Sequence, residues 1–244
     1  MAATLRTDVG LIRKQNEDAA WYDEKRGIYA VADGMGGHLA GEVASSMAMD
    51  AVQRLAAGHR TAGIRALEDM VRDAHEAIAA HAAAHSECAG MGTTLSVLWR
   101  GGSFAYIAHV GDSRIYRLRE GSLERITQDH SLVEELVRAG VITSEEARTH
   151  PRRNVITRAL GTQGDNEPDI LVTDIRKGDV FLLCTDGLNS MVDDAAIEKT
   201  LRENNPEQAA DSLIEQALAA GGQDNVTVLI CSFQGKGVFP WSKD

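Results

Sequence analysis

The sequence predicts an α+β fold built on antiparallel hairpins. Segments of strand character come in close pairs joined by turns, and segments of helical character come in groups, which is the pattern of this fold class. The chain has 244 residues, of which 43% are hydrophobic and 25% charged, and it contains no Pro-rich, Gly/Ser-rich or like-charged block typical of a linker. We therefore predict one domain over residues 1–235 and a short C-terminal tail over residues 236–244.

Strands are predicted where Val, Ile and aromatic residues concentrate. In chain order these segments are 19–22, 28–32, 95–99, 104–110, 114–118, 180–184 and 226–231. Apolar residues at helical spacing predict the helices. These cover 40–58, a segment that begins after Gly63, 131–139, and Pro206 to Ala220. A short helix is predicted near Thr143, because Thr143 and Glu146 have the spacing of a capping box.

Charge and cysteine content exclude several classes of function. The formal net charge of -11 argues against binding of nucleic acid or an anionic membrane, since both need clustered Lys and Arg. The N-terminus has no apolar signal segment, and the apolar run 226–231 is too short to cross a bilayer, so we expect a cytoplasmic protein. Cys88, Cys184 and Cys231 have no paired spacing, which predicts buried thiols and no disulfide framework or zinc site.

Two aspartates flank the first predicted hairpin. Asp18 comes directly before strand 19–22, the turn at 23–27 reverses the chain, and strand 28–32 leads back to Asp33. In an antiparallel hairpin the start of the first strand lies beside the end of the second. We therefore expect Asp18 and Asp33 to be neighbours.

Three more aspartates stand at strand ends. Asp186 follows strand 180–184 and Asp224 precedes strand 226–231, so the two meet at one edge if these strands are antiparallel. Asp112 lies between two strand segments, after Gly111. Carboxylates gathered at one sheet edge repel one another, so the arrangement predicts a bound cation.

Oxygen ligands without nearby His or Cys suit Mg²⁺, Mn²⁺ or Ca²⁺. Two such ions roughly 3.5–4 Å apart can share a water, lower its pKa and direct it as hydroxide at a phosphoryl or carbonyl centre. Asp33 is the expected bridging ligand, and Gly34 is expected to offer its carbonyl directly or through water. A single Asp-Gly pair more often marks a plain turn, but Asp33 is followed by a predicted helix, and five acids share the strand-end placement.

Seven ordered motifs resemble those of the metal-dependent Ser/Thr protein phosphatases (PPM, type 2C), and most closely the compact bacterial members that oppose Hanks-type kinases. The motifs are RKQNEDA (13–19), VADGMGGH (31–38), GMGTT (90–94), VGDSRIY (111–117), ITRALG (156–161), LLCTDGL (182–188) and GGQDNVTV (221–228). The resemblance implies a four-layer α-β-β-α sandwich, in which helix pairs flank two antiparallel sheets, with a dinuclear Mn²⁺ or Mg²⁺ centre at one end. The implied ligands of the two ions are Asp18, Asp33, Gly34, Asp186 and Asp224. Asp112, together with Asp186, matches a third and weaker metal site.

The resemblance also implies roles around the metal centre. Arg13 matches the phosphate-binding arginine, and its guanidinium suits two phosphate oxygens. Met35 stands where eukaryotic members carry a His, so either His38 or a metal-bound water is expected to protonate the leaving group. Residues 130–154 match a mobile flap, whose cationic residues either contact the phosphopeptide or form a solvated helix end. Those residues are Arg148, His150, Arg152 and Arg153.

The predicted function is hydrolysis of phosphoserine and phosphothreonine in proteins by a metal-bridging hydroxide, with no covalent enzyme intermediate. Expected partners are phosphorylated proteins, a Hanks-type kinase and its targets; the chain is expected to be monomeric. A Cys-dependent or P-loop mechanism is disfavoured because neither motif is present. Two alternatives stay open: a non-enzymatic divalent-ion module, and a catalytically silent relative that serves as a scaffold.

Overall fold

The computed structural model describes residues 2–36, 40–59 and 61–233. Two antiparallel β-sheets are stacked face to face, and helices cover their outer faces. The predicted α+β sandwich is thereby confirmed. His38 and the predicted tail over residues 236–244 lie outside the described residues.

One sheet has the strand order β1-β11-β10-β7-β8, and the other has the order β2-β3-β5-β6-β9 with β4 paired to β3. The strands are β1 (Ala2–Asp8), β2 (Asp18–Asp23), β3 (Ile28–Met35), β4 (Gly92–Thr93), β5 (Leu95–Gly101), β6 (Phe104–Val110), β7 (Arg114–Arg119), β8 (Ser122–Arg125), β9 (Asp169–Asp174), β10 (Asp179–Cys184) and β11 (Val226–Phe233). Each predicted strand is present. β1, β4, β8 and β9 were not predicted.

The helices lie on the outside of the two sheets and in the flap. They are α1 (Ala40–Gly58), α2 (Ile64–Ala84), α3 (Leu132–Arg138), α4 (Ser144–Thr149), α5 (Asp186–Asn189), α6 (Asp194–Glu203) and α7 (Pro206–Ala219), with a 3-10 turn at Ser86–Cys88. Each predicted helix is present, and the capping box of Thr143 and Glu146 is formed at the start of α4. α5 and α6 were not predicted.

Alternation along the central strands divides the core into three layers. In β3, Ile28, Ala30 and Ala32 face α1 and α2, whereas Tyr29 and Val31 face the other sheet. β10 does the same in its sheet, with Leu182 directed to α6 and α7. Burial on both faces gives these strands their continuous apolar sequence. It also holds their ends, where the acidic residues lie, in fixed positions.

The remaining sequence predictions about the chain as a whole concern its cysteines and membrane association. Cys88, Cys184 and Cys231 are all buried free thiols, as predicted. Among the described helices, none is both long enough and apolar enough to cross a membrane.

Candidate metal centre

The first pair of acids sits on adjacent edge and inner strands. Asp18 at the start of β2 is paired directly with Asp33 near the end of β3, as the hairpin argument predicted. Gly34 follows Asp33, and its N–H donates to the carbonyl of Glu17 over 3.1 Å. A Cβ on Gly34 would lie 2.1 Å from the carbonyl oxygen of Gly41 and 2.5 Å from that of Glu17. The glycine therefore lets the hairpin and α1 come together directly behind the two acids.

Asp112 reaches the same place because the chain crosses from one sheet to the other. β6 ends at Val110 in one sheet, and β7 starts at Arg114 in the other. Gly111 makes the crossing with a φ of +109°, where a Cβ would lie 2.4 Å from the side chain of Thr94. The hydroxyl of Thr94 is hydrogen-bonded to the hydroxyl of Ser113 over 2.8 Å and accepts the N–H of Asp33 at 2.8 Å. Thr94 thus ties Asp33 to the turn that carries Asp112.

Asp186 and Asp224 lie at the neighbouring end of the other sheet. β10 and β11 are antiparallel, and the N–H of Thr185 continues the ladder to the carbonyl of Thr227 over 3.2 Å. Directly beyond, Gly187 lies so close to Asn225 that a Cβ would be 1.9 Å from its carbonyl oxygen. The sequence predicted that Asp186 and Asp224 would meet if these two strands were antiparallel, and the strands are antiparallel.

Burial and mutual repulsion change the acidity of these groups. Burial, followed by the charges of Asp18, Asp186, Asp112 and Asp224, raises the pKa of Asp33 well above its usual range. Contacts agree with this: Asp18 pairs with Asp33, Asp18 bonds the threonines beside Asp186 and Asp224, and Thr94 joins Asp33 to Ser113 next to Asp112.

The neighbouring carboxyls are affected in the same direction. Burial raises the pKa of Asp18 to about 7 and that of Asp186 to about 6, and it raises the pKa of Asp112 well above its usual range. Burial and mutual repulsion therefore disfavour the charged forms of these carboxyls, and a cation among them would favour those forms.

The chemistry of the donor set fits divalent cations. The Oδ1 atoms of Asp18, Asp112 and Asp186 are buried and have no hydrogen-bond partner among the described residues, which is costly for a carboxylate oxygen unless a cation binds it. Within the same residues, no group of three or more Asp, Glu, His or Cys side chains forms a finished ion cage.

Two threonines hold Asp18 so that one of its oxygens is left over. The hydroxyls of Thr185 and Thr227 donate to Asp18 Oδ2 over 2.8 and 2.7 Å. Thr227 is itself 2.8 Å from the hydroxyl of Thr7, which accepts from the side-chain amide of Asn16. This chain of hydrogen bonds fixes the Asp18 carboxyl through Oδ2 and leaves the buried Oδ1 without a partner among the described residues.

Arg13 is at the mouth of the cluster. Its side chain is 48% exposed, and Nη2 donates to Asp224 Oδ2 over 2.7 Å. The other oxygen of Asp224 accepts the N–H of Asn225 at 2.8 Å. Arg13 is thus next to a predicted metal ligand and accessible to an incoming anion, as a phosphate-binding residue must be.

The flap is attached to the cluster at Gly111. The N–H of His130 donates to the Gly111 carbonyl over 2.7 Å, and the N–H of Gly111 donates to His130 Nδ1 over 3.1 Å. Burial lowers the pKa of His130, which keeps Nδ1 free to accept. A cleft of about 510 Å³ lies between the flap and residues 186–194. Asp112, Asp186 and the flap arginines Arg148 and Arg153 line it.

The structure therefore brings together the site residues that the sequence predicted, with one exception. Asp18, Asp33, Gly34, Asp112, Asp186, Asp224 and Arg13 lie in one region. His38 lies outside the described residues. Sequence reasoning did not identify Thr185 and Thr227, which donate to Asp18, or Thr94. Their positions were the available signal: Thr185 directly precedes Asp186, Thr227 follows Asp224 by three residues, and Thr94 ends the motif GMGTT.

Comparison with known proteins gives a consistent result. A profile of the family described as Protein phosphatase 2C matches residues 13–220. The chain is 42% identical over 239 residues to the serine/threonine phosphatase stp of Listeria innocua, with 94% of this chain and 95% of that protein covered. It is 43% identical over 226 residues to the serine/threonine protein phosphatase PstP of Mycobacterium tuberculosis, covering 92% of this chain but 43% of PstP.

A solved structure shows the same architecture. The crystal structure of the catalytic domain of PstP in complex with two manganese ions is similar with a TM-score of 0.86 and 40% sequence identity. The similarity covers 94% of this chain and 96% of that one.

Proposed function

The chain belongs to the protein phosphatase 2C family, and we propose that its five clustered aspartates and Arg13 carry the metal-dependent hydrolysis of phosphoserine and phosphothreonine in proteins. The observation that carries the proposal is the burial of three carboxylate oxygens without partners, on Asp18, Asp112 and Asp186, in the part of the chain that the structure describes. Acids arranged in this way are suited to hard divalent cations.

Two Mn²⁺ or Mg²⁺ ions, when bound, make a water acidic enough to attack phosphorus at neutral pH and neutralise charge on the phosphoryl oxygens. We assign Asp18, Asp33, Asp186, Asp224 and the Gly34 carbonyl to these two ions. Support comes from their convergence and from the manganese pair held by the related PstP domain. Asp112, with Asp186, is our assignment for a third ion, and the partnerless Asp112 Oδ1 supports it.

The protein's own groups orient the substrate. The Arg13 guanidinium is half exposed beside the assigned metal ligand Asp224. It is placed to bind a phosphate by donating two parallel hydrogen bonds to it. In the assigned arrangement, phosphate binding draws Arg13 away from Asp224 and so frees an oxygen of that carboxylate. His38 is our candidate for protonation of the leaving alkoxide. The test is His38→Ala: a general acid works only when protonated, so loss of the fall in kcat at higher pH supports the role, and an unshifted pH profile excludes it.

The substrates and the cellular setting are part of the proposal. We propose that the substrates are proteins phosphorylated by a bacterial Ser/Thr kinase, because the similar proteins stp and PstP are bacterial serine/threonine phosphatases. We also propose a cytoplasmic monomer with one catalytic domain over residues 1–235. Three free buried thiols are consistent with a reducing compartment.

The deciding experiment measures phosphate release from a phosphothreonine peptide with Mn²⁺ and with a chelator, for the wild type and Asp33→Asn. Activity is expected only with the wild type in Mn²⁺. Asp211→Asn is the matched control, because Asp211 is an exposed aspartate on α7 paired with Arg6, and it is expected to keep full activity. An inactive wild type in millimolar Mn²⁺, or a fully active Asp33→Asn, would contradict the proposal.

The same assay separates the alternative functions. A structural ion module binds the ion without hydrolysing phosphopeptides, and a silent relative binds phosphopeptides without turnover. Arg13 favours an enzyme or a phosphopeptide binder over an ion module, since a structural cation site has no use for an accessible guanidinium beside its ligands.

A further inference from the structure

The loop between β1 and β2, residues 9–17, carries Arg13 and is attached to one turn of the protein, residues 222–225. The N–H of Leu11 donates to the Gly222 carbonyl over 2.7 Å. Gly10 has a φ of +79°, and a Cβ there would be 2.3 Å from the Asp224 carbonyl oxygen. The loop therefore lies directly on the turn that presents Asp224.

A single side chain joins both ends of this loop to the turn. The side-chain amide of Asn225 donates to the carbonyl of Val9 over 2.9 Å and to that of Gln15 over 2.8 Å. Its Oδ1 accepts the N–H of Glu17 at 2.8 Å. Asn225 is 4% exposed, and both N–H groups and the oxygen of its amide are used. In the sequence, Arg13 lies between Val9 and Gln15, whose carbonyls the Asn225 side chain binds.

The chemistry of this arrangement is specific to a carboxamide. Two adjacent donors are needed for the two carbonyls, and an acceptor is needed for the third group, a combination that an Asn side chain supplies. An Asp of the same shape would place oxygens against the carbonyls of Val9 and Gln15. Outside this contact, the loop is exposed at Leu11 (65%) and Ile12 (69%), so little apolar burial holds it in place.

We infer that Asn225 is a positioning residue: it fixes the loop of residues 9–17 so that the Arg13 guanidinium is held in register with Asp224 for the substrate phosphate. The inference rests on the proposed phosphatase function. The backbone N–H of Asn225 donates to Asp224 Oδ1, whereas its side-chain amide bonds the backbone of the loop, and the side chain acts through that backbone.

The kinetic test compares Asn225→Ala with the wild type on a phosphothreonine peptide in saturating Mn²⁺. KM is expected to rise about tenfold, because an unfixed loop must be ordered again each time phosphate binds. The Mn²⁺ dissociation constant is expected to change less, about twofold, since the backbone N–H that supports Asp224 remains. Asn204→Ala is the matched control: Asn204 donates to the Thr200 carbonyl at the end of α6, and KM should not change.

A double-mutant cycle with Arg13→Ala distinguishes positioning from general destabilisation. If Asn225 acts through Arg13, Asn225→Ala adds little to the KM of Arg13→Ala. Independent, multiplicative effects of the two changes would overturn the inference. Asn225→Asp serves where Asn225→Ala folds poorly, because it keeps the shape and the acceptor but lacks both donors.

A readout without turnover keeps this inference separate from the proposed function. Hydrogen exchange of peptides covering residues 9–17 is expected to be faster in Asn225→Ala and Asn225→Asp, with protection of the β10–β11 ladder unchanged. Unchanged exchange in that loop overturns the positioning role even if the wild type is an active phosphatase. An inactive wild type with a loosened loop overturns the phosphatase proposal and leaves only the structural clamp.

Discussion

The two ends of strand β10 carry aspartates in opposite electrostatic situations. At its start, Asp179 is 1% exposed and accepts two hydrogen bonds from the Arg119 guanidinium, over 2.8 and 2.7 Å. Just past its other end, Asp186 faces Asp224 and Asp33 and has a buried oxygen without a partner among the described residues. The same strand therefore ends in a completed ion pair on one side and in an uncompensated acid on the other.

The consequences are visible in the neighbouring acids. Hydrogen bonds from Arg119 and Arg176 lower the pKa of Asp174, which flanks Asp179 at the paired end. Burial raises the pKa of Asp18 and Asp186 at the other end. At one end the buried acids are paired with arginines; at the other end the acids have no such partner, and a bound cation would supply the positive charge. The paired end stabilises the fold, whereas the unpaired end is suited to bind cations.

The largest expected effect comes from Asp186→Asn. A two-metal centre that loses a ligand is expected to lose several kcal/mol of transition-state stabilisation, so kcat/KM should fall on the order of 10³-fold. The chelated variant should unfold at a higher temperature than the chelated wild type, because one repelling carboxyl is gone. Phosphopeptide kinetics and thermal unfolding in chelator test both parts. A chelated variant less stable than the wild type would mean that Asp186 is a structural residue like Asp179.

The reciprocal change at the paired end is Asp179→Asn. It leaves Arg119, whose side chain is 16% exposed, with only part of its compensation. We expect a loss of about 3 kcal/mol in the free energy of unfolding, in the range for breaking one side of a buried pair. The activity per folded molecule should stay within about twofold. Urea unfolding measures the loss of stability, and phosphopeptide kinetics measure the activity. A marked fall in kcat would contradict the view that Asp179 serves stability alone.

Three of the four strands that sequence reasoning missed share one property. β1, β8 and β9 are all at sheet edges, where one side of the strand has no neighbour and residues are only partly buried. Central strands such as β10 are buried along their whole length. Concentrated Val and Ile therefore identify central strands, and edge strands lack that signal.

The site shows a similar division. The five acids could be predicted because each follows or precedes a strong strand, so local pattern fixes its place. Thr185 and Thr227 could not, because their roles depend on contacts with Asp18, 167 and 209 residues away in the chain. No local periodicity records such a contact; only the fold brings the groups together.

The pH dependence of stability should have opposite signs at the two ends. Carboxyls whose pKa is raised on folding bind more protons when folded, so their contribution is present at low pH and lost as pH rises. With a pKa of about 7 for Asp18 and about 6 for Asp186, the chelated protein should lose about 2 kcal/mol between about pH 6 and pH 8. Asp174, whose pKa is lowered, acts in the opposite direction at lower pH.

Urea unfolding in chelator at those two pH values measures this slope, and Mn²⁺ should stabilise the protein more at the higher value. Asp18→Asn should flatten the slope, because it removes the acid with the larger share. A chelated wild type that gains stability as pH rises would show that the acids are already compensated, and that the contrast between the two ends is wrong.

The smallest effect is expected from Thr227→Val, which removes one of the two hydroxyls that hold Asp18 Oδ2. Valine keeps the shape but cannot donate, so the Asp18 carboxyl is free to turn and its Oδ1 is less well directed. Changes in residues that orient metal ligands typically cost 10- to 100-fold in affinity. Because Thr185 still donates to the same oxygen, we expect the effect at the lower end of this range: the Mn²⁺ dissociation constant, measured by calorimetry, should rise about tenfold.

Thr173→Val is the matched control at the paired end, where the Thr173 hydroxyl accepts from Arg117 Nη1 over 2.9 Å. It should reduce stability slightly and leave Mn²⁺ binding unchanged. If both variants weaken Mn²⁺ binding equally, the hydroxyls act on the stability of the sandwich as a whole. If only Thr227→Val does so, Asp18 is oriented for ions by the second sheet, and β11 contributes to the metal centre through Thr227 in addition to the preceding Asp224.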